Sequence, residues 1–126
     1  MFGKFFKNSS KSHSSDLPWI ALENNKQLDT IKEDSKTKLQ LIFKHSTRCG
    51  ISRMVMRQFE KDYPFSEDEV DLYYLNVLTH RTESNEVARV FGIQHESPQF
   101  IVIENGKVKV SASHGAINEI ALDKLL

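Results

Sequence analysis

The sequence predicts an α/β protein in which helices flank a central mixed β-sheet. Two observations predict this class. Short apolar runs alternate along the chain with segments whose apolar residues recur every three to four positions, so strands should alternate with helices. Asn105-Gly106 then joins two strand-like runs directly, the pattern of a tight antiparallel hairpin. Strands separated by helices pair in parallel and hairpin strands pair antiparallel, so the sheet should be mixed.

A strand–helix unit opens the predicted domain. Residues 19–22 make a short apolar strand, and Asn24 or Asn25 offers a cap for a helix that runs to about Asp34. The apolar side of this helix is thin, so we expect it to lie on the surface of the core.

The next three elements are a strand, a helix and a strand. Residues 39–43 are nearly all apolar, as expected of a strand covered on both faces. Residues 45–50 read as a loop, residues 50–62 as a helix and residues 70–78 as a second strand. The helix is marked by apolar residues at a spacing of four, namely Ile51, Val55 and Phe59.

The last third of the chain contains a helix, the hairpin and a final helix. Thr82 is predicted to cap the first of these helices, and Gly92 stands where a helix C-terminus favours a left-handed residue. The hairpin strands are residues 99–104 and 107–112, and a final helix should span about residues 117–125. The core order β-α-β-α-β-β-α, behind the N-terminal unit, is that of the thioredoxin-like fold.

Length, charge and cysteine content exclude several classes of function. The chain has 126 residues, enough for one domain, which we place at residues 17–126 behind a flexible Ser/Lys-rich tail at residues 1–16. Seventeen basic and 17 acidic side chains balance, which argues against nucleic-acid binding. No apolar run approaches the ~20 residues that span a bilayer, so no membrane association is expected. One cysteine cannot form an internal disulfide or a multi-cysteine zinc site, so we expect a cytoplasmic protein and no metal site.

The single cysteine lies where a strand gives way to a helix. Amides at a helix N-terminus stabilise an anion, and Lys44, Arg48 and Arg53 add positive charge near Cys49. Both effects favour a thiolate, the nucleophilic form of the side chain. The alternative is a buried structural cysteine, but the flanking Thr47 is not a core residue type. We therefore predict that Cys49 is a catalytic nucleophile.

Other polar residues complete the predicted site. Ser52 stands three residues after Cys49, where a dithiol oxidoreductase carries its resolving cysteine, and its hydroxyl can donate a hydrogen bond to the thiolate. Pro98 precedes the third strand of the fold, where a thioredoxin-like protein carries a cis-proline beside the sulfur. His45 and His114 are candidates for supporting contacts, and amides near Gly115 for binding a carboxylate.

Residues 43–52, FKHSTRCGIS, resemble the YtxJ-like family, the monothiol bacilliredoxins. HESPQ at residues 95–99, ENGK at residues 104–107 and SASH at residues 111–114 match the same family. The resemblance covers about residues 18–126. It implies a thioredoxin-like fold and a thiol-disulfide oxidoreductase that removes bacillithiol, a low-molecular-weight thiol, from protein mixed disulfides.

The resemblance also implies the partners and the ligand contacts. The partners would be thiolated client proteins, a low-molecular-weight thiol as co-substrate and a regenerating redoxin, with no tightly bound cofactor and with a monomeric enzyme. Bacillithiol carries a malate unit, so cations are expected near the sulfur. The predicted ligand-binding residues are Lys44, His45, Thr47, Arg48, Gly50, Ser97, Pro98, His114 and Gly115.

One position departs from the family pattern, because Gly50 replaces the proline of its usual Cys-Pro-Ile-Ser. Cys49 to Ser52 thereby also resembles the Cys-Gly-Phe-Ser of monothiol glutaredoxins, some of which hold an iron–sulfur cluster. Two alternatives therefore stand beside the oxidoreductase. One is a cluster carrier that would need thiolate ligands from partners, and the other is a thioredoxin-like interaction module with an unreactive thiol.

Overall fold

The computed structural model describes residues 16–126, so the tail predicted at residues 1–16 lies, apart from Asp16, outside the described residues. The strands are β1 (Trp19–Ala21), β2 (Leu39–His45), β3 (Val70–Asn76), β4 (Gln99–Glu104) and β5 (Lys107–Ser113). The helices are α1 (Lys26–Asp34), α2 (Gly50–Asp62) and α3 (Arg81–Phe91), followed by two short 3₁₀ helices, His114–Glu119 and Leu122–Lys124.

The five strands form one mixed sheet in the order β1-β3-β2-β4-β5. β3 pairs in parallel with both β1 and β2, whereas β4 runs antiparallel to β2 and β5. The predicted α/β class and mixed sheet are thus confirmed. Every residue of the central strand β2 is buried, as its apolar sequence predicted for a strand covered on both faces.

Each face of the sheet carries its own apolar core. On one face, α2 packs through Val55, Met56 and Phe59 against Phe43, and the C-terminal segment adds its own apolar side chains. On the other face, α1 and α3 pack through residues such as Ile31 and Val87. Alternation along β2 sends Phe43 and His45 to the first face and Ile42 and Lys44 to the second. This alternation decides which side chains of β2 can reach α2.

The predicted cap at Thr82 is wrong. Helix α3 begins at Arg81, with His80 at the cap position, and Thr82 lies exposed in the first turn. The cause is the preceding turn, in which the Asn76 side-chain oxygen accepts hydrogen bonds from the amides of Leu78 and Thr79. That turn directs the chain into the helix before Thr82 is reached. The left-handed residue at the helix end is Gly92, with φ 67°, as predicted.

The predicted final helix is also wrong, because two short 3₁₀ helices replace it. Ile117, Leu122 and Leu125 are all buried in the core on the α2 face. On a single α-helix these three residues would lie within an arc of about 140°, so their spacing alone does not exclude the predicted helix. The chain instead passes through an extended residue, Ile120, between the two short helices, and all three side chains reach the core by this path.

None of the helices between residues 16 and 126 has the length and apolar content needed to span a membrane.

Candidate active site

Cys49 occupies the N-cap of α2, in an extended conformation with φ −100° and ψ 121°. Its backbone amide donates to the Ser46 carbonyl, and its carbonyl accepts from the Arg53 amide, so the main chain closes the first turn of the helix. The thiol is unbridged and partly exposed. No acidic side chain lies in the first turn of α2. The sulfur thus meets the positive end of a helix without a carboxylate from that turn to oppose it.

The sheet register brings the predicted proline to the same edge of the sheet. Lys44, one residue before the end of β2, pairs with Gln99 at the start of β4. Pro98 therefore faces the end of β2, from which the chain turns through residues 46–48 into Cys49. The Ser97–Pro98 peptide bond is cis, as the predicted fold required.

Ser52 is fully buried and does not bond to the sulfur. Its Oγ lies 2.7 Å from His45 Nδ1 and accepts a 3.1 Å hydrogen bond from the Ser46 amide. The prediction that Ser52 donates to the Cys49 thiolate is therefore not met in this conformation. The physical reason is that Ser52 faces the sheet, where the end of β2 supplies closer partners. Ser52 and His45 instead join the β2–α2 turn to the helix.

Lys44 is the second predicted site residue whose side chain does not contact the thiol. Its side chain points to the sheet face opposite α2 and is completely buried. Its Nζ donates to the Ser84 carbonyl at 3.0 Å and lies 3.1 Å from His95 Nδ1. Burial lowers the pKa of Lys44 from 10.5 to about 8. The prediction that Lys44 binds a ligand beside the sulfur is therefore wrong. The cause is that side chains alternate along β2, which directs Lys44 to the opposite face of the sheet from α2.

A different cation lies over the turn that holds the cysteine. The exposed Arg53 side chain donates from Nη1 to the Thr47 carbonyl at 3.1 Å. Its Nη2 lies 3.9 Å from where a Cβ on Gly50 would stand. Thr47 and Arg48 are exposed in the same turn. Arg53 was absent from the predicted ligand contacts, although its position one turn into the helix could have indicated it.

The remaining predicted residues lie beside the proline. The His114 amide donates to the Pro98 carbonyl at 3.0 Å, and His114 Nε2 lies 3.7 Å from Glu96 Oε1. His114 has a positive φ of 57°, and Gly115 follows it on the surface. The start of the first 3₁₀ helix therefore adjoins the Ser97–Pro98 segment.

The arrangement offers one sulfur for exchange chemistry. Within residues 16–126 no cluster of three or more His, Cys, Asp or Glu side chains could hold a metal ion. The full sequence contains no second cysteine, so Cys49 can form a mixed disulfide but cannot resolve it within its own chain.

Comparison with known proteins points to one family. The model of the family described as monothiol bacilliredoxin BrxC matches residues 20–122. A solved structure described as that of a proposed oxidoreductase with a thioredoxin fold is 33% identical, with a TM-score of 0.70, covering 84% of this chain and 91% of that one.

Two thioredoxins share the fold at lower identity. The Schistosoma mansoni thioredoxin pre-protein is 23% identical with a TM-score of 0.62, covering 90% of this chain and 100% of that one. The Malassezia sympodialis thioredoxin is 21% identical with a TM-score of 0.59, covering 87% and 93%. A thiol at the N-cap position of a helix on a thioredoxin fold, matched over most of its length by one family model, has one consistent interpretation: this chain belongs to the monothiol bacilliredoxin family and is a thiol-disulfide oxidoreductase.

Proposed function

We propose that this bacilliredoxin removes bacillithiol from mixed disulfides on client proteins, with Cys49 as the nucleophile. The observation that carries the proposal is the position of the only sulfhydryl of the chain: Cys49 is partly exposed at the N-terminus of α2. The family match supports the same chemistry, and the name of the family supports bacillithiol as the small thiol.

The reaction consists of two thiol–disulfide exchanges. First, the Cys49 thiolate attacks the bacillithiol sulfur, a new S–S bond forms, and the client sulfur leaves as a thiolate that takes up a proton. Second, an external thiolate, from a second bacillithiol or from another redoxin, attacks the bacillithiol sulfur on Cys49. Cys49 leaves as a thiolate, and a disulfide between the two external sulfurs is released. No electrons are gained or lost overall, so sulfur alone suffices for the chemistry.

The neighbouring residues would orient the mixed disulfide. Backbone groups of Ser97, beside Pro98, would pair with the backbone of the client or the ligand, and amides near Gly115 would face a ligand carboxylate. Arg48 and Arg53 are exposed near the thiol and would bind the malate carboxylates, a role predicted from the sequence for Lys44 and Arg48.

The cellular setting follows from this chemistry. The thioredoxin fold and the family match support redox-active proteins as the substrates. We further propose that the enzyme is a cytoplasmic monomer, since its exchange needs a reducing pool of small thiols and a single sulfur from this chain.

The proposal is tested by intact-mass analysis after mixing the protein with a bacillithiolated client. We expect the client to lose one bacillithiol and Cys49 to gain it, and the Cys49→Ser variant to do neither. The matched control is Ser111→Ala, a change at an exposed serine of β5 outside the site, which should transfer the thiol as the wild type does.

Two results would contradict the proposal. One is a wild-type protein that acquires no adduct under these conditions, and the other is equal turnover by Cys49→Ser. A visible absorbance band after anaerobic reconstitution with iron and sulfide would instead favour the cluster-carrier alternative. Thiol profiling of the source cells would show whether bacillithiol is the physiological partner.

A further inference from the structure

Residues 94–98, the segment that leads into β4 and contains Pro98, are attached to the rest of the molecule at four of five positions. The Gln94 carbonyl accepts from Gln99 Nε2 at 3.0 Å, and His95 Nδ1 faces Lys44 and α3. Glu96 lies near His114, whose amide donates to the Pro98 carbonyl. These contacts hold the segment in one place beside the end of β2.

Lys44 is the centre of these attachments on the sheet face opposite α2. Its buried Nζ donates to the Ser84 carbonyl in α3 at 3.0 Å and lies 3.1 Å from His95 Nδ1. Ser84 Oγ lies at 3.1 Å from the same ring nitrogen. Three parts of the molecule (β2, α3 and the 94–98 segment) therefore meet at one ammonium group. Burying a lysine without a carboxylate at its nitrogen is costly, which argues that the group has a specific task.

The charges around His95 show how the contact works. Since an ammonium group only donates, His95 Nδ1 accepts and the ring proton lies on Nε2. Burial and the positive charges of Lys44 and Arg81 lower the pKa of His95, while Glu96 alone opposes them. His95 is therefore neutral at pH 7 and able to accept. In acid, the protonated ring loses its acceptor and faces the Lys44 ammonium.

We propose that Lys44 is a positioning residue, which through His95 and the Ser84 carbonyl holds residues 94–98 where a client's mixed disulfide meets Cys49. The inference rests on the proposed function, because it concerns the segment along which the client would lie. Lys44 acts from behind the sheet and touches neither the client nor the sulfur. Removing it should therefore impair reaction with a protein client more than reaction with a small reagent that needs no docking.

The test compares two rates at Cys49 in Lys44→Met, which keeps the length of the side chain without its donors. We expect the second-order rate constant with a bacillithiolated client to fall about fivefold or more, and that with iodoacetamide to stay within about twofold. Amide hydrogen exchange of residues 93–97, measured without any thiol, should speed up at least tenfold. The control is Val87→Ala, which creates a cavity in the core on the same face of the sheet. This variant should lower the free energy of unfolding without changing the ratio of the two rates.

A second pair of variants at His95, which is only partly buried, guards against a misfolded Lys44→Met. His95→Asn puts an amide oxygen where Nδ1 stood and should keep the client rate, whereas His95→Leu should lose it. In wild type the ratio of client rate to iodoacetamide rate should fall at a pH below the ordinary histidine pKa of about 6.5, and His95→Asn should not show this fall.

The inference is overturned if Lys44→Met leaves the amide exchange of residues 93–97 unchanged, or if it lowers both rates in equal proportion. A wild-type protein that takes no bacillithiol from the client would instead count against the proposed function. In that case the hydrogen-exchange result still decides whether Lys44 positions the segment.

Discussion

At the scale of single residues, Ser52 is a structural hydroxyl between the last residue of β2 and the first turn of α2. It accepts from the Ser46 amide and shares a 2.7 Å contact with His45 Nδ1, all within buried or half-buried surroundings. A serine at this position is therefore explained in two ways: it stabilises the β2–α2 turn, and it takes the position of the second cysteine that a monothiol enzyme lacks.

Replacing Ser52 with alanine should lower the free energy of unfolding by about 1–2 kcal/mol, because two buried polar groups each lose a partner. Urea unfolding monitored by Trp19 fluorescence measures this change. Ser111→Ala, at an exposed strand position, should leave the midpoint unchanged within error. Equal midpoints for the two variants would contradict the structural role of Ser52.

Arg53 is the second residue whose role differs from its sequence-based interpretation. Its guanidinium lies over the turn from Thr47 to Gly50, where carboxylates of a thiol bound to Cys49 could reach it. Arg53→Gln should lower the rate constant for a bacillithiolated client about three- to tenfold, since a charge-assisted hydrogen bond is worth roughly 1–2 kcal/mol. A client carrying β-mercaptoethanol, which has no carboxylate, should react with both forms at similar rates.

The comparison with Lys61→Gln separates binding from net charge. Lys61 is exposed in the last turn of the same helix, so its removal changes the charge of the protein equally without touching the site. If Lys61→Gln and Arg53→Gln slow the reaction equally, the effect is long-range attraction rather than a specific contact.

At the scale of secondary-structure elements, the start of α2 is compatible with the proline that the family usually carries. Gly50 is the first residue of the helix, where the amide has no partner within the helix and proline fits well. Cys49 is already extended, as a residue before proline must be. A Cβ at position 50 would meet only Arg53, at an ordinary contact distance of 3.9 Å.

Gly50→Pro should therefore raise the free energy of unfolding by about 0.4–1 kcal/mol, by reducing the freedom of the unfolded chain. The urea midpoint, at unchanged slope, measures it. Gly92→Ala is the matched opposite: Gly92 ends α3 with φ 67°, so a side chain there is strained and the midpoint should fall. A destabilised Gly50→Pro would show that the first turn of α2 needs the glycine.

At the scale of the whole molecule, stability should depend on alkaline pH in two opposite steps. The pKa of Lys44 is about 8 in the folded protein, whereas in the unfolded chain it has its ordinary value of 10.5. Between these two pH values the unfolded chain therefore binds more protons than the folded protein. Stability then rises with pH, by about 1–2 kcal/mol from roughly pH 7.5 to 9.5. Burial raises the pKa of Tyr63 and Tyr73 well above the usual 10, so stability should fall again above that pH.

Urea unfolding of the wild type and of Lys44→Met across this range checks the first step. The variant lacks the titrating amine and should show no rise between about pH 7.5 and 9.5. If the free energy of unfolding of the wild type stays constant or falls over this interval, burial does not lower the pKa of Lys44.

Much of the molecule could be predicted because the relevant signals are local. The hairpin at Asn105-Gly106, the buried strand predicted at residues 39–43 and the helix from Gly50 each follow from short patterns, and all three are present, although the strand extends to His45. The final helix could not be predicted, since its apolar residues are buried by a path with a break at Ile120 rather than by one helix face. Likewise the partners of Ser52 are His45, the last residue of a strand, and the Ser46 amide, seven and six residues earlier in the chain.

The order of the five strands and three α-helices, the single cysteine at a helix start and the family motifs could all be predicted from the linear chain, because turn chemistry and hydrophobic periodicity are local properties. Which face of the sheet a side chain occupies, and what it meets there, was decided only by tertiary packing. Lys44 and His45 are neighbours in sequence, yet the pleat sends one to His95 and the other to Ser52, on opposite sides of β2. As a result, His45 supports the turn that carries Cys49, whereas Lys44 supports the segment that contains Pro98.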